Sequence, residues 1–226
     1  MLFMIALLIA VLFAAFLAPA LRKAPLPFCI AAALLAVGAA AAAQLDAESE
    51  LLVDWVLPLF TKGALSAAFW ALVMWAGALP GGSRAGKRLL AVRGELSIFA
   101  AILTMCHAVL RAILYLQQLL QPRFSPDATF LATCLIVLLM LLIMIPLTVL
   151  SFKGVRRRMA AKRWKRIQRT AYFFYALICL HVLVLYFPPA LRGFRGYAFT
   201  VFLYSAVWLA YLVFRLRKYF LSKQHG

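Results

Sequence analysis

Acidic side chains are nearly absent from this chain. Its 226 residues include six Asp and Glu against 24 Lys and Arg, and charged residues make up only 13% of the sequence. Hydrophobic residues make up 67%, and the mean hydropathy is +0.98. A water-soluble domain of this size could not bury that much apolar surface. Because open sheets cannot cross a bilayer, the composition predicts an all-α polytopic membrane protein.

Cysteine is also scarce, and the pattern typical of a dinucleotide site is missing. The four cysteines lie in apolar runs without C-x-x-C spacing, so we expect small hydrophobic side chains rather than disulfides or zinc ligands. The glycine-containing segment at 80–86 does not follow a predicted strand, which excludes a Gly-rich nucleotide loop there. We therefore expect any oxidation of a nicotinamide to occur on another protein.

The net charge of +18 would suit a nucleic-acid partner, but its distribution favours a different explanation. Basic residues gather in short loops between apolar runs, and residues 153–169 carry nine of them with no acidic residue. Such clusters mark the cytoplasmic loops of membrane proteins. The sequence therefore predicts the lipid bilayer as partner and no nucleic acid.

Seven apolar segments are long enough to cross a membrane. The first is followed by Arg22 and Lys23, the reverse of the order in a signal peptide, so we interpret it as an uncleaved span. Four of the six acidic residues fall within 46–54, and 51–60 is predicted to be an amphipathic interfacial segment broken at Pro58. The predicted spans are 1–21, 28–44, 63–79, 95–119, 128–150, 170–187 and 197–214.

Loop charges predict the orientation of these spans. The basic loops at 22–23, 84–93 and 153–169 are expected on the cytoplasmic side. The acidic segment at 46–54 and the sparsely charged loops 121–127 and 188–196 are then outside. We expect an outer N-terminus and an inner C-terminus in a bacterial cytoplasmic membrane.

Of the three histidines, His225 lies in the polar tail, which leaves His107 and His181 inside spans. Their spans are predicted to be parallel, so their depths can be compared. Taking Glu95 and Thr170 as inner ends, both histidines lie about 17–18 Å along their helices at ~1.5 Å per residue. This depth is in the outer half of a hydrocarbon core about 30 Å thick. Two facing imidazoles can fill both axial positions of one b-type haem.

The neighbours of the two histidines suit such a site. Ala100 and Thr104 are small enough to leave room for a macrocycle, and Arg111 lies one turn beyond His107 on the same face, where haem propionates could pair with it. Two alternatives stay open: a membrane histidine can simply bond to a neighbouring helix, and Arg111 could reach lipid headgroups. The predicted apolar wall around His181 consists of Phe174, Leu177, Ile178, Val184 and Leu185.

The segment GALSAAFWALVMWAGALPGG at 63–82, the block at 88–111, the basic entrance at 163–169 and His181 occur in an order that resembles the ferric reductase-like transmembrane family. Within that family, the pattern resembles the MsrQ/YedZ haem-binding membrane subunits. The resemblance covers about 63–190. It suggests a division into an N-terminal hairpin with its acidic segment, 1–62, and a haem-binding core, 63–226.

The resemblance also implies which residues hold haem. His107 and His181 match the family's outer ligand positions, whereas the inner positions are occupied here by Gly94 and Gln168. Glutamine is a poor haem ligand, so the resemblance implies one haem rather than two. It also implies that flavin (FMN) could be a further cofactor. A quinone among the inner helices is the alternative, because one outer haem leaves a gap to the cytoplasmic surface.

Three function classes follow from these patterns. The first is an electron-transfer subunit that carries electrons from the quinone pool or a cytoplasmic flavin donor, through one haem, to an extracytoplasmic acceptor or reductase partner. The second is the membrane component of a ferric or flavin reductase that uses a separate dehydrogenase. The third is a non-redox scaffold or transporter subunit, although paired intramembrane carboxylates are lacking. The basic segment 153–169 could hold a flavin phosphate or could serve only to fix topology.

Overall fold

The chain folds into a bundle of helices. The computed structural model describes residues 1–44, 49–50, 52–80 and 82–224, so Asp46, Glu48 and the tail residue His225 lie outside the described residues. Within them the chain is 87% helical and has no strand. Six described helices are long and apolar enough to cross a membrane, or seven if one bent pair forms a single span. The predicted all-α membrane fold is confirmed.

The described helices follow one another with short connections. A π-helical turn at Leu52–Val56 precedes α3 and is continuous with it. The α-helices are α1 (Leu2–Lys23), α2 (Pro25–Gln44), α3 (Leu57–Thr61), α4 (Ala64–Ala78), α5 (Arg84–Leu119), α6 (Ala128–Val149), α7 (Lys153–Arg157), α8 (Ala161–Gln168), α9 (Thr170–Leu191) and α10 (Arg195–Gln224).

Helix α4 lies at the centre of the bundle. Of its 15 residues, 13 are buried, and it packs against α1, α5, α9 and α10. Its many alanines allow neighbouring helices to approach closely, which is how helices associate in lipid. Phe69 of α4 contacts Phe13 and Phe99 with ring centroids 5.3 and 4.7 Å apart, so aromatic packing joins α4 to α1 and α5.

The segment before α4 bends differently from the prediction. Pro58 does not break the helix; it lies in the first turn of α3, where its missing N–H costs no hydrogen bond. The break comes instead at Lys62 and Gly63, where the chain turns by 49° between α3 and α4. Gly63 adopts a left-handed conformation with φ of 70°, which a glycine accepts without strain.

The predicted start of the helix α5 was also wrong. The helix begins at Arg84 rather than Glu95, so the predicted basic loop at 84–93 forms its first turns. The hydroxyl of Ser83 caps this start by accepting a hydrogen bond from the backbone N–H of Gly86 at 3.0 Å. Glu95 is therefore not a helix end; it is buried and pairs with Lys153 at 2.8 Å.

Other boundaries differ less. The predicted basic loop at 153–169 contains two short helices, α7 and α8. Helix α9 begins at Thr170 as predicted and continues through Pro188 and Pro189 to Leu191. Helix α10 extends the predicted span at 197–214 in both directions. The boundaries of α1, α2, α4 and α6 agree with the predicted spans within a few residues.

The two histidine-bearing helices are held apart by α4. In the described part of the chain, α5 packs chiefly against α4 and α2, whereas α9 packs against α6 and α10. Helix α4 contacts both α5 and α9, and these two do not form a close pair of their own. The candidate site therefore takes His107 from α5, which contacts the bend before α4, and His181 from α9.

Candidate functional site

His107 is half-buried on α5 and is anchored by the bend that precedes α4. Its Nδ1 lies 2.8 Å from the backbone carbonyl oxygen of Thr61. Because a carbonyl can only accept a hydrogen bond, Nδ1 carries the proton of the neutral ring, which leaves the lone pair on Nε2. This is the arrangement in which metal-ligating histidines are commonly held by proteins.

Gly63 forms a cradle for the same ring. An ideal Cβ placed on Gly63 would lie 3.0 Å from Cδ2 of His107 and 3.1 Å from its Cγ and Nε2. Real Cβ atoms rarely approach a neighbour so closely, so only a glycine leaves room for the imidazole in this position. Gly63 therefore meets two requirements at once. It adopts the positive φ that the bend needs, and it has no side chain that would collide with the His107 ring.

Arg111, one turn beyond His107, binds the same carbonyl. Its Nε donates a hydrogen bond to the oxygen of Thr61 at 3.2 Å. A guanidinium has five N–H donors, so this bond uses only part of its capacity. The pairing of Arg111 with haem propionates stays a prediction. The structure adds that the Arg111 side chain is hydrogen-bonded to the bend before α4, next to His107.

His181 is half-buried on α9 and differs from His107 in its hydrogen bonding. Its Nδ1 is buried and has no hydrogen-bond partner among the described residues. If His181 served only to bond a neighbouring helix, a ring nitrogen would be expected to contact that helix. An unpaired buried polar atom costs on the order of 1–3 kcal/mol, so this ring has unused bonding capacity.

The predicted neighbours of the two histidines differ in burial. Ala100 and Phe174 are fully buried, Leu177 and Ile178 are buried, and Thr104 is half-buried. The remaining wall residues, Val184 and Leu185, are half-buried further along α9.

Trp70 of α4 contacts both α5 and α9, and the sequence interpretation missed it. Its indole N–H donates to Oγ1 of Thr104 at 2.9 Å, while its ring meets Phe174 edge-on with centroids 4.8 Å apart. Thr104 donates in turn to the carbonyl of Ala100 at 2.7 Å. A signal existed, because a tryptophan in an apolar span must find an acceptor for its N–H. Thr61 and Gly63 were missed too, since they act through the backbone.

Two imidazoles are side chains of the kind that ligate haem iron; that they hold one haem between them stays a prediction. One ring has its tautomer fixed by a carbonyl, the other has an unpartnered nitrogen, and a basic side chain lies one turn from the first. The four cysteines are free thiols.

The family's inner ligand positions hold no imidazole here. Oε1 of Gln168 accepts a hydrogen bond from Arg93 at 3.2 Å, so its amide is already engaged. A Cβ on Gly94 would lie 3.3 Å from the carbonyl oxygen of Ser151. Both residues line a cavity of about 470 Å³ at the end of the bundle that carries α7 and α8.

Comparison with known proteins gives a family and one relative. Residues 62–179 match the family described as ferric reductase like transmembrane component. The match includes His107 and ends two residues before His181. An uncharacterized protein of Treponema pallidum (strain Nichols) is 38% identical over 166 residues, which cover 74% of this chain and 46% of that protein. The chain thus spans less than half the length of this relative. No solved structure matches.

Proposed function

The chain belongs to the family of ferric reductase like transmembrane components, and from this premise we propose that it is the electron-transfer subunit of an oxidoreductase system. Membership indicates a multi-pass membrane component for electron transfer. Our proposal adds one b-type haem with His107 and His181 as its axial ligands. Among members of the family, the MsrQ/YedZ haem-binding subunits are the proposed nearest group.

The observation that carries the proposal is the hydrogen bond between Nδ1 of His107 and the carbonyl of Thr61. It fixes the proton on one ring nitrogen and leaves the other free to donate to iron. The close fit against Gly63 holds the plane of the ring, so the bend before α4 is a positioning device for this ligand.

The other residues have supporting roles in the proposal. His181 would hold the haem from α9, and its unpaired ring nitrogen argues against a purely structural role. Arg111 would supply a positive charge for the anionic groups of the haem, and their pairing would offset the cost of a cation inside the bilayer. The apolar wall, from Phe174 to Leu185, excludes water from the site. When bound, the haem would supply a carrier that accepts and releases one electron at a time within the membrane.

The direction of transfer follows from the loop charges. We propose that the basic segment from α7 to α8 faces the cytoplasm and that the N-terminus lies outside, in a bacterial inner membrane. The two histidines would then lie nearer the outer surface. Electrons would come from quinol or a flavin donor on the inner side and pass to an extracytoplasmic redox partner protein. The basic inner surface suits a flavin donor, because the phosphate of a flavin is anionic.

Absorption spectroscopy of the purified protein tests the ligand assignment. The wild-type chain is expected to carry one haem per protein, with a Soret band and a sharp α-band after dithionite reduction. His107→Ala and His181→Ala should each lose most of the haem, because a single axial bond holds b-type haem weakly. Gln168→Ala should keep the wild-type haem content, since this residue is a non-ligand in the proposal.

Two results would contradict the assignment. Full haem occupancy in both histidine variants would exclude the bis-histidine site, and loss of haem in Gln168→Ala would restore a role for the inner position. Size-exclusion profiles of all three variants show whether the bundle is intact, so that loss of haem can be separated from loss of fold.

A further inference from the structure

The cavity at the end of the bundle that carries α7 and α8 is lined by neither His107 nor His181. It holds about 470 Å³ and lies between α4, α5, α6, α8, α9 and α10. Cavities of this size are typical of small-molecule sites and far exceed the space of a single ion. The described lining contains no histidine or cysteine, so the cavity offers no side chain of the kind that binds haem iron.

The charges around the cavity are of one sign. Arg93, Arg156, Lys165 and Arg169 line it, and no carboxylate does so in the described part of the chain. Glu95, a buried carboxylate on α5 near Arg93, is already paired with Lys153. Arg156, Lys165 and Arg169 are exposed and Arg93 is half-buried, so water and salt screen part of their repulsion, and an anion between them would lower it further. The occupant is therefore expected to be negatively charged.

Two hydrogen-bond donors on the cavity wall are buried and unused. The hydroxyl of Tyr211 and the indole N–H of Trp164 have no partner among the described residues, although both residues line the cavity. Tyr211 is only 5% exposed, so water at the protein surface does not supply the missing bond. Leaving a buried donor unpaired costs on the order of 1–3 kcal/mol. The occupant should therefore present acceptor oxygens on both sides.

Apolar residues cover the rest of the wall. Met74, Leu147 and Phe174 line the cavity and belong to the buried core. The guanidinium of Arg156 lies 4.6 Å from the centre of the Trp164 ring, which fixes the indole at the basic side. The cavity is thus polar and cationic on one side and apolar on the other.

We propose that this cavity binds a phosphate-bearing molecule, with its phosphate among the four cations and the Tyr211 and Trp164 donors, and its apolar or aromatic body against the core side. Phosphate oxygens accept several charge-assisted hydrogen bonds at once, which matches the number of donors present. Two sources have this chemistry: an anionic phospholipid headgroup and a phosphorylated soluble cofactor. The proposal goes beyond electron transfer through the histidine pair, because it requires no haem.

Native mass spectrometry of the full chain, released from detergent, tests the proposal and separates the two sources. The probes are phosphatidylglycerol with diacylglycerol as its phosphate-free control, and riboflavin 5′-phosphate with riboflavin as its control. We expect one phosphate-bearing molecule per chain, displaced by millimolar inorganic phosphate. Retention of phosphatidylglycerol identifies a lipid, and retention of riboflavin 5′-phosphate identifies a soluble cofactor.

Matched variants locate the binding. Tyr211→Phe keeps the ring and removes only the unpaired hydroxyl, so affinity should fall about tenfold, while the ligand-free protein should be no less stable. Arg169→Gln should weaken binding by a similar factor and reduce its salt dependence. Tyr204→Phe, on the same helix but away from the cavity, and Arg217→Gln, an exposed cation outside it, should bind as the wild type does.

Several outcomes would overturn the proposal. Equal binding of each probe and its phosphate-free control would show that the phosphate is not recognised. Equal affinity of Tyr211→Phe and Tyr204→Phe would place the ligand elsewhere, and the absence of any bound phosphate-bearing molecule would leave the cavity without this role. Haem content measured in the same samples separates this proposal from the electron-transfer proposal, since either can fail while the other holds.

Discussion

At the scale of single residues, the candidate site depends on backbone groups as much as on side chains. The carbonyl of Thr61 accepts hydrogen bonds from both His107 and Arg111, and Gly63 gives the imidazole room to lie against the bend. Thr61 and Gly63 contribute no side-chain chemistry to this site. Their role is to hold a ligand ring in one tautomer and one plane, which is a condition for reproducible metal binding.

Gly63→Ala tests this fit. The new Cβ would be strained by the φ of 70° and would lie 3.0 Å from His107 Cδ2, so the ring or the bend must shift. We expect a loss of about 1–3 kcal/mol of stability together with a changed or weakened low-spin haem spectrum. Electron paramagnetic resonance of the oxidised protein would detect the altered axial ligation.

Gly193→Ala is the matched control. Gly193 has a φ of 89° but no atom within 4 Å of an added Cβ, so it carries the backbone strain without the contact. It should lose comparable stability and keep the wild-type spectrum. If both variants give the same spectrum, the contact between Gly63 and His107 has no influence on the ligand.

Thr104→Val tests the hydrogen bond between α4 and α5. Valine keeps the shape of threonine but removes the acceptor of the Trp70 indole N–H. Trp70 is only 4% exposed, so water does not replace that acceptor. The unpaired donor should cost about 1–3 kcal/mol, measured by unfolding in mixed micelles. Thr148→Val is the control, because Thr148 bonds only to Met144 of its own helix; an equal loss there would remove the cross-helix bond as the cause.

At the scale of elements, α4 is too short to span a membrane alone and is supported at both ends. Its 15 residues extend about 22 Å, against a hydrocarbon core of about 30 Å. The α3 segment extends it at the start. At its end, Arg215 and Lys218 of α10 donate hydrogen bonds to the carbonyls of Gly77 and Leu79 at 2.8 to 3.1 Å. Cations at a helix C-terminus also match the negative end of its dipole.

Lys218→Met tests this capping. The change removes the hydrogen bonds to both Gly77 and Leu79, while the long side chain keeps its apolar contacts. We expect a loss of about 2 kcal/mol, seen as a lower thermal unfolding temperature in detergent. Arg217→Met removes an exposed charge one position away and should change stability little. Equal effects of the two changes would indicate that only net charge matters.

At the scale of the whole molecule, the distribution of charge predicts the orientation in the membrane. Nine basic residues lie within 153–169, whereas the turn at 121–127 holds one basic and one acidic residue. Alkaline phosphatase inserted after residue 125 is expected to be active outside the membrane, and the same reporter after residue 160 inactive. A fluorescent protein at the two sites should show the opposite pattern. Activity of the phosphatase only at residue 160 would reverse the proposed direction of electron transfer.

Local composition was enough to predict the helical membrane class, most of the span positions and the two histidines inside spans, because the solvation of apolar helices in lipid depends on that composition. It misjudged the start of α5 because arginine, lysine and alanine suit a helix as well as a loop, although Ser83 was an available capping signal.

The surroundings of the histidines depend on contacts between distant parts of the chain, which no local pattern predicts. Thr61 and His107 are 46 residues apart in the chain, and no local pattern records that a carbonyl at a bend will meet a ring on another helix. The same is true of Trp70 between Thr104 and Phe174, and of the cationic cavity between α4, α8 and α10. Hydropathy specifies which segments enter the membrane. Close packing of helices from distant parts of the chain, which depends on shape and on hydrogen bonds between them, decides which atoms meet there.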